Sequence, residues 1–302
     1  MCGFDTSNSW VILSPIEQSI KNKIESVGKP LREWDINIYR GVLTGYNDAF
    51  IIDSAKRDEI VSNCKTEDER QRTTELIRPI LRGRDIKRYE YEWAKYYLIA
   101  TFPSKHYDID DYPAIKEYLL GFGIERLEQS GKEYIVNGVK VHARKKTNNK
   151  WFETQDSISY WDDFNKPKLC YAELSRTGNS FVFDDAKMLL GNTGYILTVK
   201  GNNTRELKYL LGFLNSRVIL YYLDLICTRF DDNGWRWLRQ FVETIPIPIN
   251  KSTKSFELID IVNGVNKHNQ KKCSPQINNL VAEIYGLTEN ELSYINRQLN
   301  KY

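Results

Sequence analysis

Arg144, Lys145, Lys146, Thr147, Asn148, Asn149, Lys150 and Trp151 place four cations, two amides and an aromatic ring in eight consecutive residues. That set of side chains suits contact with duplex nucleic acid: cations neutralise phosphates, and amides or guanidinium groups meet base edges in a groove. A solvated charge run is the plainer account of such a stretch when nothing else points to DNA. Arg82, Arg84, Lys87 and Arg88 form a second cluster around Asp85, where an ion pair that fixes a turn explains the residues as well as binding does. Thr44, Tyr46 and Asn47 lie beside Gly41 and Gly45, which suit positive φ and close backbone approach, though turn geometry alone accounts for them equally. Arg176, Asn203, Arg229 and Arg236 lie in further polar or basic loop segments, the last near Trp235 and Trp237. Together these residues are the candidate contact set.

A second chemistry competes with recognition. A metal-dependent nuclease needs clustered carboxylates and a lysine, and the nearest pattern is Asp184 or Asp185 followed by Glu206 and Lys208. Glu206 and Lys208 open an amphipathic helix, where residues two apart point to different sides, so solvated helix-start charges are the better account. His106, His142 and His268 are remote from one another and show no ligand spacing. No catalytic residue and no metal ligand is assigned. A third possibility is a protein-interaction module in which the C-terminal helices dock on a partner.

These side chains need a framework, and the chain can supply one. Its 302 residues, 41% of them hydrophobic, can bury a sizeable core. The formal charge of +3 is only mildly basic, so a nucleic-acid face must come from local clustering. Cys2, Cys64, Cys170, Cys227 and Cys273 are far apart and form no CxxC pair, which disfavours a zinc knuckle or a disulfide framework and fits a reducing cytoplasm. The N-terminal residues lack the basic-then-apolar pattern of a secretory signal. The most apolar stretch, 207–227, carries Lys208, Asn215, Arg217 and Asp224, too many polar groups for a bilayer span.

Capping-box patterns begin helices at Ser14 and Pro15, at Thr66 and at Thr288. Leu76, Ile77, Ile80 and Leu81 share one side of the turns after Thr66, with Pro79 limiting that helix. Pro113 starts another, carrying Ile115, Tyr118, Leu119 and Phe122. Strands are expected over 96–102, 169–174, 180–183 and 195–199, and Asn137-Gly138 between two β-prone runs predicts a hairpin. Residues 207–225 read as one long buried helix crossing the sheet, and two more helices follow at 256–265 and 277–285.

Four segments, in order, resemble a known family. They are Gly41-Val42-Leu43-Thr44-Gly45-Tyr46-Asn47-Asp48-Ala49-Phe50, then residues 76–89, then Leu210-Leu211-Gly212-Phe213-Leu214-Asn215-Ser216-Arg217, then Ile245-Pro246-Ile247-Pro248. The family is the TaqI-like specificity domain, the target-recognition part of type IIG restriction-modification enzymes and related adenine-specific DNA methyltransferases. The likeness runs from about Trp10 to the C-terminus, and residues 130–150 depart from it.

The resemblance implies an α+β fold: a mixed β-sheet target-recognition domain with packed helices and a helical C-terminal tail. The chain is expected to divide into a lead-in helix and linker (1–40), the recognition domain (41–250) and the tail (251–302), which the polar stretch 250–255 sets off as a candidate separate unit. It implies that the chain sets register on double-stranded DNA, reads several base pairs and presents one adenine to a methyltransferase domain across a cleft. The start at Met1 near the expected boundary suggests a piece of a longer enzyme or a stand-alone specificity subunit. The Asp/Asn-Pro-Pro-aromatic loop that holds a flipped base is missing from the sequence, and Gly121-Phe122-Gly123 follows a helix rather than a strand. The chain alone is therefore expected not to be an enzyme. S-adenosylmethionine and Mg²⁺ are expected only for methyltransferase and nuclease domains outside it.

Overall fold

The computed structural model describes residues 13–226, 234–249 and 252–300. Helix α1 (Pro15–Val27) begins at the Ser14 and Glu17 capping box and buries Ile20 and Ile24. Strand β1 (Ile36–Arg40) follows, then β2 (Ile51–Asp53), helices α2 (Ser54–Ser62) and α3 (Glu67–Leu76), and strands β3 (Ile77–Leu81) and β4 (Tyr96–Ile99). Helix α4 (Pro113–Leu120) precedes the hairpin of β5 (Glu133–Val136) and β6 (Val139–His142). Strands β7 (Lys168–Ala172), β8 (Phe181–Asp184), β9 (Leu189–Leu190) and β10 (Gly194–Val199) lead into helices α5 (Thr204–Leu214) and α6 (Arg217–Ile226). The tail holds α7 (Thr253–Gly264), α8 (Gln270–Ile284) and α9 (Glu289–Leu299). This is the expected mixture of helices and mixed sheets.

The central sheet has the order β8-β7-β10-β1, antiparallel throughout, and separates two cores. Because side chains alternate across a strand, Leu169, Tyr171, Tyr195 and Leu197 face α5, α6 and the tail helices, while Cys170 and Ile196 face the other core. Burial on both faces explains why every residue of β7 and β10 is buried. The second core lies around the sheet β9-β3-β4-β2, whose β9/β3 pair is parallel. The two sheets meet where Gly41 N–H donates to Gly194 O and Val42 N–H to Leu190 O. Gly41 is required there by close approach rather than by positive φ, since a Cβ would lie 2.1 Å from Gly191 O, whereas Gly45 does have φ of +77°.

Two expectations change. Residues 77–81 form a strand, not a continuation of α3, because they pair with β4 and β9. The long helix breaks at Asn215 and Ser216 into α5 and α6, bent by 65°. The buried Asn215 amide clasps the edge of the central sheet: it donates to Phe181 O and accepts from Phe181 N–H. No single helix among the described residues is long and apolar enough to cross a membrane. Leu258, Ile277, Val281 and Ile295 of the tail belong to the same core as the central sheet.

Candidate nucleic-acid interface

The basic loop is held in place by one of its own cations, Arg144. Its side chain is 2% exposed. The guanidinium donates to Leu127 O at 2.7 Å, Thr44 O and Glu153 O at 2.8 Å, and Trp151 O at 2.7 Å. Burial pulls its pKa down to about 10, with Arg126 adding repulsion, so the group stays charged near neutrality. Arg144 therefore ties three remote segments together and cannot contact DNA, which corrects its place in the candidate set. Gln129 completes the clamp by bonding both Thr147 and the carbonyl of Lys150.

This hub places the glycine turn beside the basic loop. Gln155 and Asp156 donate their N–H groups to Leu43 O, and a Cβ on Gly45 would meet Gln155 Oε1 at 2.5 Å. Thr44 is fully buried and bonds Asn47 Oδ1, so it shapes the turn rather than reaching out. Asn47 is exposed, and Tyr46 packs under the Arg126 guanidinium, 3.8 Å from the ring centroid. Lys145, Lys146 and Lys150 are exposed around the hub.

From there a chain of contacts follows the Gly194 end of the central sheet. Burial pushes the Asp156 carboxyl up, against the opposing pull of the Leu43 backbone and, more weakly, of Arg40 and Lys145. Arg40, at the emerging end of β1, donates to Asn192 O at 2.9 Å and to Glu173 Oε2 at 3.1 Å. Arg236 holds the other oxygen of Glu173 at 3.1 Å. One carboxylate, 11% exposed, thus orients two guanidinium groups that are each about half exposed. Arg176 is exposed beside the short ladder that pairs Trp235 with Ser175 and Arg236 with Leu174. Gly83 N–H donates to Thr193 Oγ1 and brings the exposed Arg84 to the same rim. Lys87, also exposed, donates back to Arg84 O.

Other candidates have structural duties. Arg82 pairs with Asp85 at 2.7 Å and stacks on Tyr96, so the ion-pair reading of that turn is the right one for it. The Arg88 guanidinium bonds Asn215 O in the elbow between α5 and α6. Asn203 accepts from Glu206 N–H as the N-cap of α5 and follows Val199, at the far end of β10 from Gly194. The strand rise puts those ends about 17 Å apart. Arg229 lies outside the described residues. Arg40 and Arg126 were absent from the candidate set. Arg40 carried a signal, since it ends a β-prone run immediately before the glycine turn.

The nuclease candidates do not form a metal site. Asp184 is fully buried in an ion pair with Lys168 and also accepts from Tyr91 Oη, Ala186 N–H and Met188 N–H. Lys208 lies over the Phe183 ring at 4.0 Å.

Residues 116–247 match the TaqI-like C-terminal specificity domain. That span contains the third resembling segment and most of the fourth, but neither of the first two. The Type II methyltransferase M.BanIII of Aneurinibacillus aneurinilyticus is 26% identical over 132 residues, 42% of this chain and 23% of that protein. The Type II methyltransferase M.PaeR7I of Pseudomonas aeruginosa is 22% identical over 286 residues, 94% of this chain and 44% of that protein. The chain thus spans less than half the length of either relative. Among solved structures, the type IIG restriction endonuclease BpuSI superposes with a TM-score of 0.52 at 13% identity, covering 89% of this chain and 32% of that one. The type IIL restriction-modification enzyme MmeI, solved in complex with DNA, gives 0.57 at 12% identity, covering 90% and 36%. Residues 116–247 are therefore similar to the TaqI-like C-terminal specificity domain, within a fold shared with solved restriction-modification enzymes.

Proposed function

We propose that this chain is a sequence-specific reader of double-stranded DNA, serving as the specificity domain of a type IIG restriction-modification enzyme. Its partners are duplex DNA and the methyltransferase and nuclease domains of the parent, and its place is the cytoplasm. The observation that carries the reading is the cationic rim: Arg40, Arg84, Lys145, Lys146, Arg176 and Arg236 all hang from segments linked by direct contacts at one end of the central sheet. Phosphate contacts there would fix register, and the exposed amides Asn47 and Asn148 suit base edges.

The reading assigns no chemical step to this chain. S-adenosylmethionine and Mg²⁺ belong, in this account, to the catalytic domains. Among the described residues the candidates for these groups have other duties: the Asp184 oxygens are taken up by Lys168, Tyr91 and two N–H groups, and Gly123, at φ of +82°, follows helix α4 and leads into a short helical turn. Presentation of an adenine to a methyltransferase domain is therefore a positioning task. The test is fluorescence anisotropy with a labelled 30-base-pair duplex and the matching single strand. Tighter binding to the duplex supports the reading, and equal binding to both removes it.

A further inference from the structure

The hairpin β5/β6 buries little of itself and projects from the base of the rim. Ile135 is 73% exposed and Val139 64% exposed, the two most solvent-accessible large apolar residues among those described. Exposed apolar side chains gain nothing from folding, which leaves both of these available to an outside surface. The register places Ile135 opposite Lys140 on one face, while Val139 pairs with Val136 on the other. The tip is tight, with Asn137 at φ of +51° and Gly138 at φ of +79°.

The arm is rigid at its root. Arg126 donates to His142 O at 2.9 Å while stacking on Tyr46, and Tyr134 Oη donates to Glu128. Gly131 N–H donates to Arg144 O, and Lys146 packs against Gly131. The hairpin is thus an extension of the Arg144 hub. Strands of four residues span about 13 Å, their basal ends forming the root, and two strands side by side fit a major groove about 12 Å wide. Lys132, Lys140, Lys145 and Lys146 are exposed along or beneath the arm. The acidic group on its solvent face, Glu133, is paired with Lys140 at 2.6 Å and with His142 at 3.1 Å. The cations are in excess.

We propose that the hairpin is a specificity-determining arm that enters a groove of duplex DNA, with Ile135 and Val139 on its two faces as apolar contacts, one toward base edges such as the thymine methyl and the other toward the groove wall. The inference rests on the DNA-reader assignment and adds to it a recognition element inside the span, residues 116–247, that matches the specificity domain. Contact of this kind reports sequence, whereas the rim cations report only phosphate.

The test uses the full chain and a 30-base-pair duplex pool with a randomised centre. Wild type should select a motif, and Ile135→Ser with Val139→Ser should lose preference at one or more positions and about tenfold in affinity for the selected duplex, with an unchanged salt slope. A photo-crosslinking residue substituted at Ile135 should attach to that duplex. Salt-sensitive duplex binding with the same motif, the same affinity and no crosslink overturns the arm and leaves the DNA-reader assignment standing. Absence of any duplex binding by wild type overturns both.

Discussion

Replacing Arg144 with methionine separates what the basic loop does for the fold from what it does for binding. The substitution keeps most of the aliphatic volume and removes bonds to Leu127 O, Thr44 O, Glu153 O and Trp151 O. Each charge-assisted bond is worth about 1.5–3 kcal/mol net, but the four are not additive, and some of the carbonyls would find water. A cost of about 3–5 kcal/mol is the expectation, comparable to breaking a buried ionic contact. At about 2 °C per kcal/mol for a chain of this size, the melting temperature falls by about 6–10 °C. The assay is urea and thermal unfolding alongside duplex titration at several salt concentrations. Arg144→Met should unfold earlier yet keep the wild-type salt slope where it remains folded. Lys145→Ala with Lys146→Ala should do the reverse, leaving stability within about 0.5 kcal/mol and lowering the slope by about 2. An Arg144→Met variant of unchanged stability and a slope lower by one would refute the hub.

Other outcomes follow from the same contacts. Glu291 accepts from Lys23, the Thr288 N–H and the Ser19 and Thr288 hydroxyls, which outweigh the upward push of burial and bring its pKa down to about 2. A carboxyl lowered on folding stabilises above its unfolded pKa and loses that contribution as pH falls, here between about 4.5 and about 2. Acid titration of stability should therefore show up to about 3 kcal/mol less pH dependence in Glu291→Gln than in wild type, and identical acid profiles would contradict the assignment. Asp184→Asn leaves Lys168 buried without its counter-ion and should cost about 3–5 kcal/mol, measured by urea unfolding, whereas Asp185→Asn should be near neutral. Magnesium-dependent nicking of supercoiled plasmid that disappears in Glu206→Ala would restore the nuclease reading.

The sequence made local structure legible where one short-range rule decides it. The capping boxes at Ser14 and Thr288, the Asn137-Gly138 turn and the β-branched runs of the central sheet all formed as their residues predict. It failed where remote backbone decides. Residues 77–81 look helical in isolation and become a strand because β4 and β9 offer partners from elsewhere in the chain. The elbow at Asn215 depends on Phe181, 34 residues earlier. Arg144 sits in a run of exposed cations, and its burial depends on carbonyls as far away as Thr44, 100 residues earlier. Composition could not distinguish it from Lys145. The resembling segments also turned out to be largely scaffold: Gly212 packs against Leu258, and Pro246 O accepts from the buried Tyr285 hydroxyl.

The central claim is that the rim meets phosphates, and salt dependence measures it most directly. With the full chain and a 30-base-pair duplex between 50 and 200 mM salt, engagement of about five phosphates gives a log–log slope of about −4.5. A slope near zero across that range, or no duplex binding at the lowest salt, would contradict the account.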